Sequence, residues 1–211
     1  MPWDFIESGS PSSDTLAAFR DALDVLAELG AVIEDLTLPL HGHQDVLSVI
    51  LLCEAAAYHA PKYARQPEVY GPSFRERLAP GFLFTAVDYL RAQRVRDEIR
   101  ALVEDVMPHP GVLALPTMPT PAPSWANFQE VGWDLAPPPF TSLFSLTGHP
   151  AISVPDGISQ SGLPLGLQLA AANDAEHVLA AVARAYESAG RWQATRPDMS
   201  WCGEPNPVHW A

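Results

Sequence analysis

Basic residues are scarce in this sequence of 211 residues. Only 12 Lys and Arg stand against 25 Asp and Glu, which gives a formal net charge of −13, and Lys62 is the single lysine. Nucleic acids and anionic membrane surfaces are bound by clustered Lys and Arg. The charge balance therefore argues against nucleic acid and membrane as partners.

Cysteine is also rare, and long hydrophobic runs are missing. The two cysteines, Cys53 and Cys202, belong to no Cys-x-x-Cys pair or metal-ligand spacing, so we expect both to be reduced. His41 and His43 form a His-x-His pair that would need further ligands to hold a metal. We expect no metal and no other cofactor. Glu54 interrupts the longest apolar run, and no secretory signal is visible, so we expect a cytoplasmic protein.

Helices and strands alternate along the first part of the chain, which predicts an α/β fold. Apolar residues at helical spacing run from Ser13 to Gly30, and AVIEDLTLPL then reads as a strand. The segment from Asp45 to about Tyr63 is so apolar that we expect a helix buried on most of its sides. Hydrophobic residues make up 47% of the chain, which is enough for a packed core.

The middle of the chain joins a helix to a buried strand. Thr85 and Asp88 have capping-box spacing and begin a second long helix. GVLALPT is a continuous apolar run of the kind found in strands buried on both faces. The irregular, proline-rich stretch from 116 to 139 follows, and a stretch of that length favours a functional loop, with Trp133 as one of its pocket-lining candidates.

The last third reads as two strands and a helix. AISVP and LGLQLAA are the strands, and Asn173 and Glu176 have capping-like spacing before a helix that ends at Gly190. We expect one domain over residues 1–211, with a core at 13–190 and a polar tail at 191–211.

Four sequence blocks, in order, carry a family pattern. They read LAAFRDALDVLAELGAVIEDLTLPL, EAAAYHAPKYARQPEVYGPSFRERLAPGFLFTAVDYLRAQRVRDEI, VLALPTMPTPAP, and FTSLFSLTGHPAISVPDG with GLPLGLQLAA. Together they extend from about Ser13 to about Gly190. The chain thus resembles the C-terminal half of an amidase signature family enzyme. This resemblance implies a partial amidase-signature fold, in which helices flank a mixed β-sheet, and the hydrolysis of carboxamides.

The family's catalytic groups have no counterpart in this sequence. The resemblance implies a serine nucleophile, a second serine in a cis peptide and a lysine base, because a hydroxyl needs a nearby base to lose its proton. No Gly/Ser-rich run of the GGSSGGS kind is present. The stretch SGSPSS from Ser8 to Ser13 reads as a helix-capping turn, and Lys62 lies in a block that follows the family's catalytic residues. We therefore assign no catalytic residue, and whether the chain is an enzyme stays open.

The resemblance places part of a substrate-pocket wall in this chain. It implies that Phe140, Thr141, Ser142 and Leu143 approach the acyl site, with a loop before them that varies with the substrate and includes Trp133. Relatives similar to the amidase-like component of the tRNA-dependent amidotransferase carry an acidic residue near the start of this block. Prolines stand there instead, at 137–139, which argues against a glutaminase role.

Three hypotheses for the function remain. In the first, the chain is the C-terminal portion of an amidase and is inactive alone. Met1 would then fall within the family's fold, and a strand of the sheet would lack its neighbour. Because an unpaired strand edge can bind another chain, we expect self-association. In the second, it is a non-catalytic partner subunit or pseudoenzyme that completes a separately encoded N-terminal half. The third is a standalone hydrolase with an unrecognised nucleophile. In the complete enzyme the substrate would be a small-molecule amide.

Overall fold

The computed structural model describes residues 1–124 and 137–190 of the chain. Two short 3₁₀ turns, Pro67–Val69 and Ala79–Phe82, flank the fourth helix. The helices and strands, in chain order, are α1 Trp3–Ser8, α2 Ser13–Glu28, α3 His43–Tyr63, α4 Pro72–Leu78, α5 Ala86–Val106, β1 Leu113–Pro116, α6 Pro139–Thr147, β2 Ala151–Ile158, β3 Pro164–Ala170 and α7 Glu176–Ala189. None of these helices has the length and apolar content that a membrane span needs.

The described strands form one three-stranded sheet in the order β1-β3-β2, and both pairings are antiparallel. Gln168 in β3 pairs with Leu115 on one side and Ser153 on the other. All four residues of β1 are buried, which confirms the expectation from GVLALPT. Helices and sheet together confirm the predicted α/β class.

The core lies on the two faces of β3. Helices α2 and α7 pack against β2 and β3. Leu167 and Leu169 are fully buried, and because side chains alternate along a strand they lie on the opposite face from Gln168. Gln168 reaches α6, where its Nε2 donates a hydrogen bond of 3.3 Å to the carbonyl of Phe140. Helix α6 in turn packs against α3 and α5.

The predicted strand at AVIEDLTLPL is wrong, because residues 31–40 form no strand in the structure. Their backbone groups instead meet the start of the chain. The N–H of Leu36 donates to the carbonyl of Met1 at 3.0 Å, and that of Leu38 donates to the Asp4 carboxylate at 3.2 Å. A segment whose backbone bonds to the first residue of the chain and to a side chain cannot be told from a strand by its apolar pattern.

Helix α3 is less buried than its composition predicts. His43, Ile50 and Ala56 are its buried residues, whereas Leu51 and Tyr58 are 50% and 81% exposed. The expectation of burial on most sides is therefore wrong for the described part of the chain. Its apolar residues run around the whole helix, but α5, α6 and the turn Ala79–Phe82 cover only part of its surface.

The predicted helix starts have mixed outcomes. Thr85 and Asp88 form the complete capping box of α5, as predicted. Helix α7 begins at Glu176 without a side-chain cap, so the prediction from the capping-like spacing there is wrong. Asn173 is engaged elsewhere, since its Nδ2 donates a bond of 2.9 Å to Glu104.

Candidate functional site

A cleft of about 760 Å³ opens where the chain leaves β1 and where it enters α6. Residues 118–120, just beyond β1, and 137–139, just before α6, form part of its lining. The first turns of α3 form another wall through Gln44, Asp45 and Ser48, and Arg77 contributes from α4. The cleft thus lies beside the block that the family resemblance associates with the substrate.

Two side chains at the start of α3 hold the proline segment in place. His43 Nε2 donates a hydrogen bond of 2.7 Å to the carbonyl of Pro139, and Gln44 Nε2 donates to the carbonyl of Pro137. Proline suits the first position of a helix, because its fixed φ matches the helix and it has no N–H to leave unpaired. The entry into α6 is therefore fixed both by its own prolines and by α3.

His43 is held as a neutral imidazole. Burial lowers its pKa, and the hydrogen bond to Pro139 opposes that shift only in part. A carbonyl can only accept, so Nε2 carries the proton and Nδ1 carries the lone pair. Nδ1 has no hydrogen-bond partner among the described residues. The ring packs 5.4 Å from that of Phe5, which places it in the core rather than in a metal site with His41.

The predicted wall residues lie directly behind the prolines. Phe140, Ser142 and Leu143 are buried, and Thr141 is half-buried. The Phe140 ring meets that of Phe5 at 6.0 Å, edge to face. In this structure these side chains support the cleft from within the core, while the prolines form its surface. Their contact with a substrate stays a prediction, and Trp133 lies outside the described residues.

The groups weighed as nucleophiles or bases have structural roles here. Ser12 caps α2, because its hydroxyl accepts from the N–H of Thr15 at 3.2 Å, which confirms the predicted capping turn. Lys62 is exposed in the last turn of α3. It stands 10 residues beyond Leu52, the last residue of α3 in the cleft lining, or about 15 Å along an α-helix. The single lysine therefore lies outside the cleft lining, with its side chain exposed to solvent.

His149, in the segment TGHPA between α6 and β2, also lies outside the cleft lining. Its side chain is fully buried, and Nδ1 is 2.9 Å from the Thr147 hydroxyl. Burial lowers its pKa, and Glu104, at 3.9 Å from Nε2, opposes the shift. A buried, neutral ring in these contacts has the features of a core histidine.

Sequence reasoning missed His43 and Gln44 as residues that shape the site. The His-x-His spacing presents His43 only as half of a metal-binding pair. The one feature of the sequence that could have indicated their role is the position of these two polar side chains at the very start of an apolar helix. Their partners, however, are carbonyls 96 and 93 residues away, and no local pattern reports such contacts.

The fold and the cleft together define the class of protein: an α/β unit in which a proline-walled cleft lies beside a three-stranded sheet. The amidase family model matches residues 3–179. The chain belongs to the amidase family, and the resemblance found in the four sequence blocks is confirmed.

Individual relatives agree with this assignment. An amidase of Pseudomonas putida is 34% identical over 197 residues, which are 89% of this chain and 42% of that protein. A component of the glutamyl-tRNA(Gln) amidotransferase from Chloroflexus aurantiacus is 30% identical, over 92% of this chain and 45% of its own. A crystal structure of an amidase matches with a TM-score of 0.78 at 28% identity, over 89% of this chain and 44% of that one. The chain thus spans less than half the length of these relatives.

Proposed function

We propose that this chain is one part of a cytoplasmic amidase that hydrolyses the carbon–nitrogen bond of small carboxamides. It contributes a wall of the substrate pocket, and it is inactive alone. The observation that carries the proposal is the cleft beside α6, formed by the prolines at 137–139 and fixed by His43 and Gln44. The block after these prolines, Phe140 to Leu143, backs the cleft, and Trp133 belongs to the loop before it.

The catalytic groups would come from a second region of protein. Amide hydrolysis by a serine requires a base near the hydroxyl and N–H donors for the oxyanion. Lys62 is exposed and does not line the cleft, and the sequence has no Gly/Ser-rich loop. We propose an N-terminal amidase half as the partner that supplies them. The exposed apolar residues of α3, among them Leu51 and Tyr58, are surface that a partner could cover.

A chimera tests the proposal. Residues 3–179 replace the matching segment of the Pseudomonas putida amidase, and ammonia release is measured on a panel of primary amides. We expect hydrolysis with a substrate preference that differs from the parent, because the wall of the pocket has changed. A chimera that shows a cooperative melt but hydrolyses none of the amides cleaved by the parent would contradict the proposal.

The absent catalytic motif also favours a second candidate, a non-catalytic partner subunit or pseudoenzyme. Co-purification with a separate chain that carries a lysine and a Gly/Ser-rich loop would support this version. Size-exclusion chromatography with light scattering separates the cases, since a lone homo-oligomer would argue against it.

A further inference from the structure

A second, smaller cavity of about 190 Å³ lies between α2 and the end of β2, away from the residues of the proline-walled cleft. Asp14, Asp21 and Asp156 contribute its acidic side chains. The rest of its lining is small or neutral: Ala17, Ala18, Gly157, Ile158 and Gln160. The lining contains three carboxyl groups and no basic residue.

A β-bulge turns Asp156 toward this cavity. In the ladder between β2 and β3, Pro155 pairs with Gly166 and Gly157 pairs with Leu165, so Asp156 is an extra residue without a partner. A bulge re-aims the side chains around it. At this bulge β2 packs closely against α2, since a Cβ on Gly157 would lie only 2.9 Å from the Cβ of Ala18. The bulge therefore carries the Asp156 side chain to the α2 side of the sheet.

The Asp156 carboxyl group is buried and incompletely bonded. The residue is 2% exposed, and its Oδ1 has no hydrogen-bond partner among the described residues. Burial raises its pKa to about 7. A buried polar atom without a partner destabilises a fold unless something else satisfies it. The packing of α2 and β2 leaves this oxygen without a donor.

The surrounding charges favour a cation. Burial raises the pKa of the Tyr186 hydroxyl in α7, and the carboxylates of Asp156 and Asp21 raise this pKa further. The two carboxylates therefore lie within electrostatic reach of the Tyr186 hydroxyl. Asp14 accepts a bond of 2.9 Å from the N–H of Gln160 at the rim. Asp21 is exposed, which leaves it accessible from solvent.

We propose that this cavity binds a small organic cation with N–H donors, such as a primary ammonium or a guanidinium group. The N–H group would satisfy Asp156 Oδ1, and its charge would meet Asp156 and Asp21; hydrogen bonds between ionised groups are the stronger kind. The volume corresponds to about six water molecules at about 30 Å³ each, enough for a cation with a short alkyl chain. In residues 1–124 and 137–190, no three His, Cys, Asp or Glu are placed to hold a metal ion. This site does not depend on the proposed amidase function.

Calorimetric titration of the 211-residue chain tests the site. The probes are ethylammonium chloride and methylguanidinium chloride at pH 8 and constant ionic strength, with tetramethylammonium chloride as the cation that lacks N–H donors. We expect saturable binding in the millimolar range for at least one of the first two probes and none for the third. Asp156→Asn should weaken binding at least tenfold, and Asp21→Asn several-fold. Asp24→Asn, an exposed carboxylate on the same helix, should leave it unchanged.

Several results would overturn the proposal. One is the absence of saturable binding by the unmodified chain, and another is equal affinity for ethylammonium and tetramethylammonium, since that would be unspecific charge attraction. Unchanged affinity in Asp156→Asn is a third. If that variant fails to fold, Asp21→Asn decides the matter, because an exposed residue can be replaced with little effect on folding and unchanged binding would then refute the site.

Discussion

The sheet region and the region around α3 use apolar residues in different ways. Leu115, Leu167 and Tyr186, from the strands and α7, are at most 1% exposed. In the other region Tyr58 and Leu83 are more than 80% exposed. Most large apolar side chains of the sheet region are buried, although Ile152 and Ile158 of β2 are 36% and 38% exposed. The apolar side chains that α3 and the turn after α4 present to the surroundings are more exposed than these. A surface of this kind often marks an interaction site.

A large expected effect on the free energy of unfolding compares the two regions directly, by the same substitution in each. Leu167→Ala should lower the free energy of unfolding by about 3 to 4 kcal/mol, because it leaves a cavity in a closed core. Leu83→Ala, the same substitution at an exposed site, should change it by about 0.5 kcal/mol or less. Urea unfolding followed by circular dichroism measures both. Similar losses in the two variants would mean that the two regions do not differ as described.

Gly81→Ala tests a tight contact between α3 and the turn that follows α4. A Cβ on Gly81 would lie 2.2 Å from the carbonyl oxygen of Leu52, so the turn must move away from α3. We expect a loss of about 2 to 3 kcal/mol by urea unfolding. Gly71→Ala is the matched control, since a Cβ there meets nothing within 4 Å. Equal stability of the two variants would show that the turn is not packed on α3 as the structure has it.

His43 connects α3 to α6 through Pro139, so its removal should affect stability and pH dependence together. His43→Ala should cost about 1 to 2 kcal/mol, because the Pro139 carbonyl loses its donor. The folded-state pKa of His43 lies below its ordinary value, so the unfolded chain takes up the proton first as pH falls through about 6.5. The unmodified chain should lose stability over that range, and the variant should lose less.

Thermal melts between pH 5 and 8 measure this difference. His41→Ala is the control, since His41 is exposed. The same pH profile in the unmodified chain and in His43→Ala would contradict the assignment of a buried, neutral ring.

Asp156→Asn should have an effect of opposite sign. The folded-state pKa of Asp156 is raised to about 7, so its proton stabilises the fold at low pH, and this stability is lost as pH rises from about 4 through 7. Above that range the neutral Asn should make the protein more stable by about 4 kcal/mol, at about 1.36 kcal/mol for each unit between the two pKa values, with no difference near pH 4. Melts at pH 4 and pH 8, without organic cations, measure the gap. A variant less stable than the parent at pH 8 would contradict the burial of an ionised carboxylate.

The two regions also differ in how well the sequence predicts them. The burial of Leu113 to Pro116 and the capping box at Thr85 depend on neighbouring residues, so a local pattern is enough to predict them. The apolar pattern of the segment at 31–40 predicts a strand wrongly, because it does not say whether the backbone meets another strand or the start of the chain. The exposure of α3 depends on which elements cover it, and its composition carries no such information.

The candidate site shows the same limit. The family resemblance predicts a pocket wall from Phe140 to Leu143, and the structure places this block directly behind a cleft. The bonds from His43 and Gln44 that shape that cleft connect positions more than 90 residues apart. Likewise, no local pattern indicates that Asp156 is buried, because the bulge that turns it inward depends on the register between β2 and β3.

The central claim is that this chain shapes an amide pocket without carrying the groups that attack the amide. Its most direct test combines amide hydrolysis by the purified 211-residue chain with intact-mass analysis after treatment with a serine-reactive fluorophosphonate. We predict no ammonia release and no labelling, because the single lysine does not line the cleft and the Gly/Ser-rich loop is absent from the sequence. Turnover of a carboxamide together with stoichiometric labelling of one serine would contradict the claim.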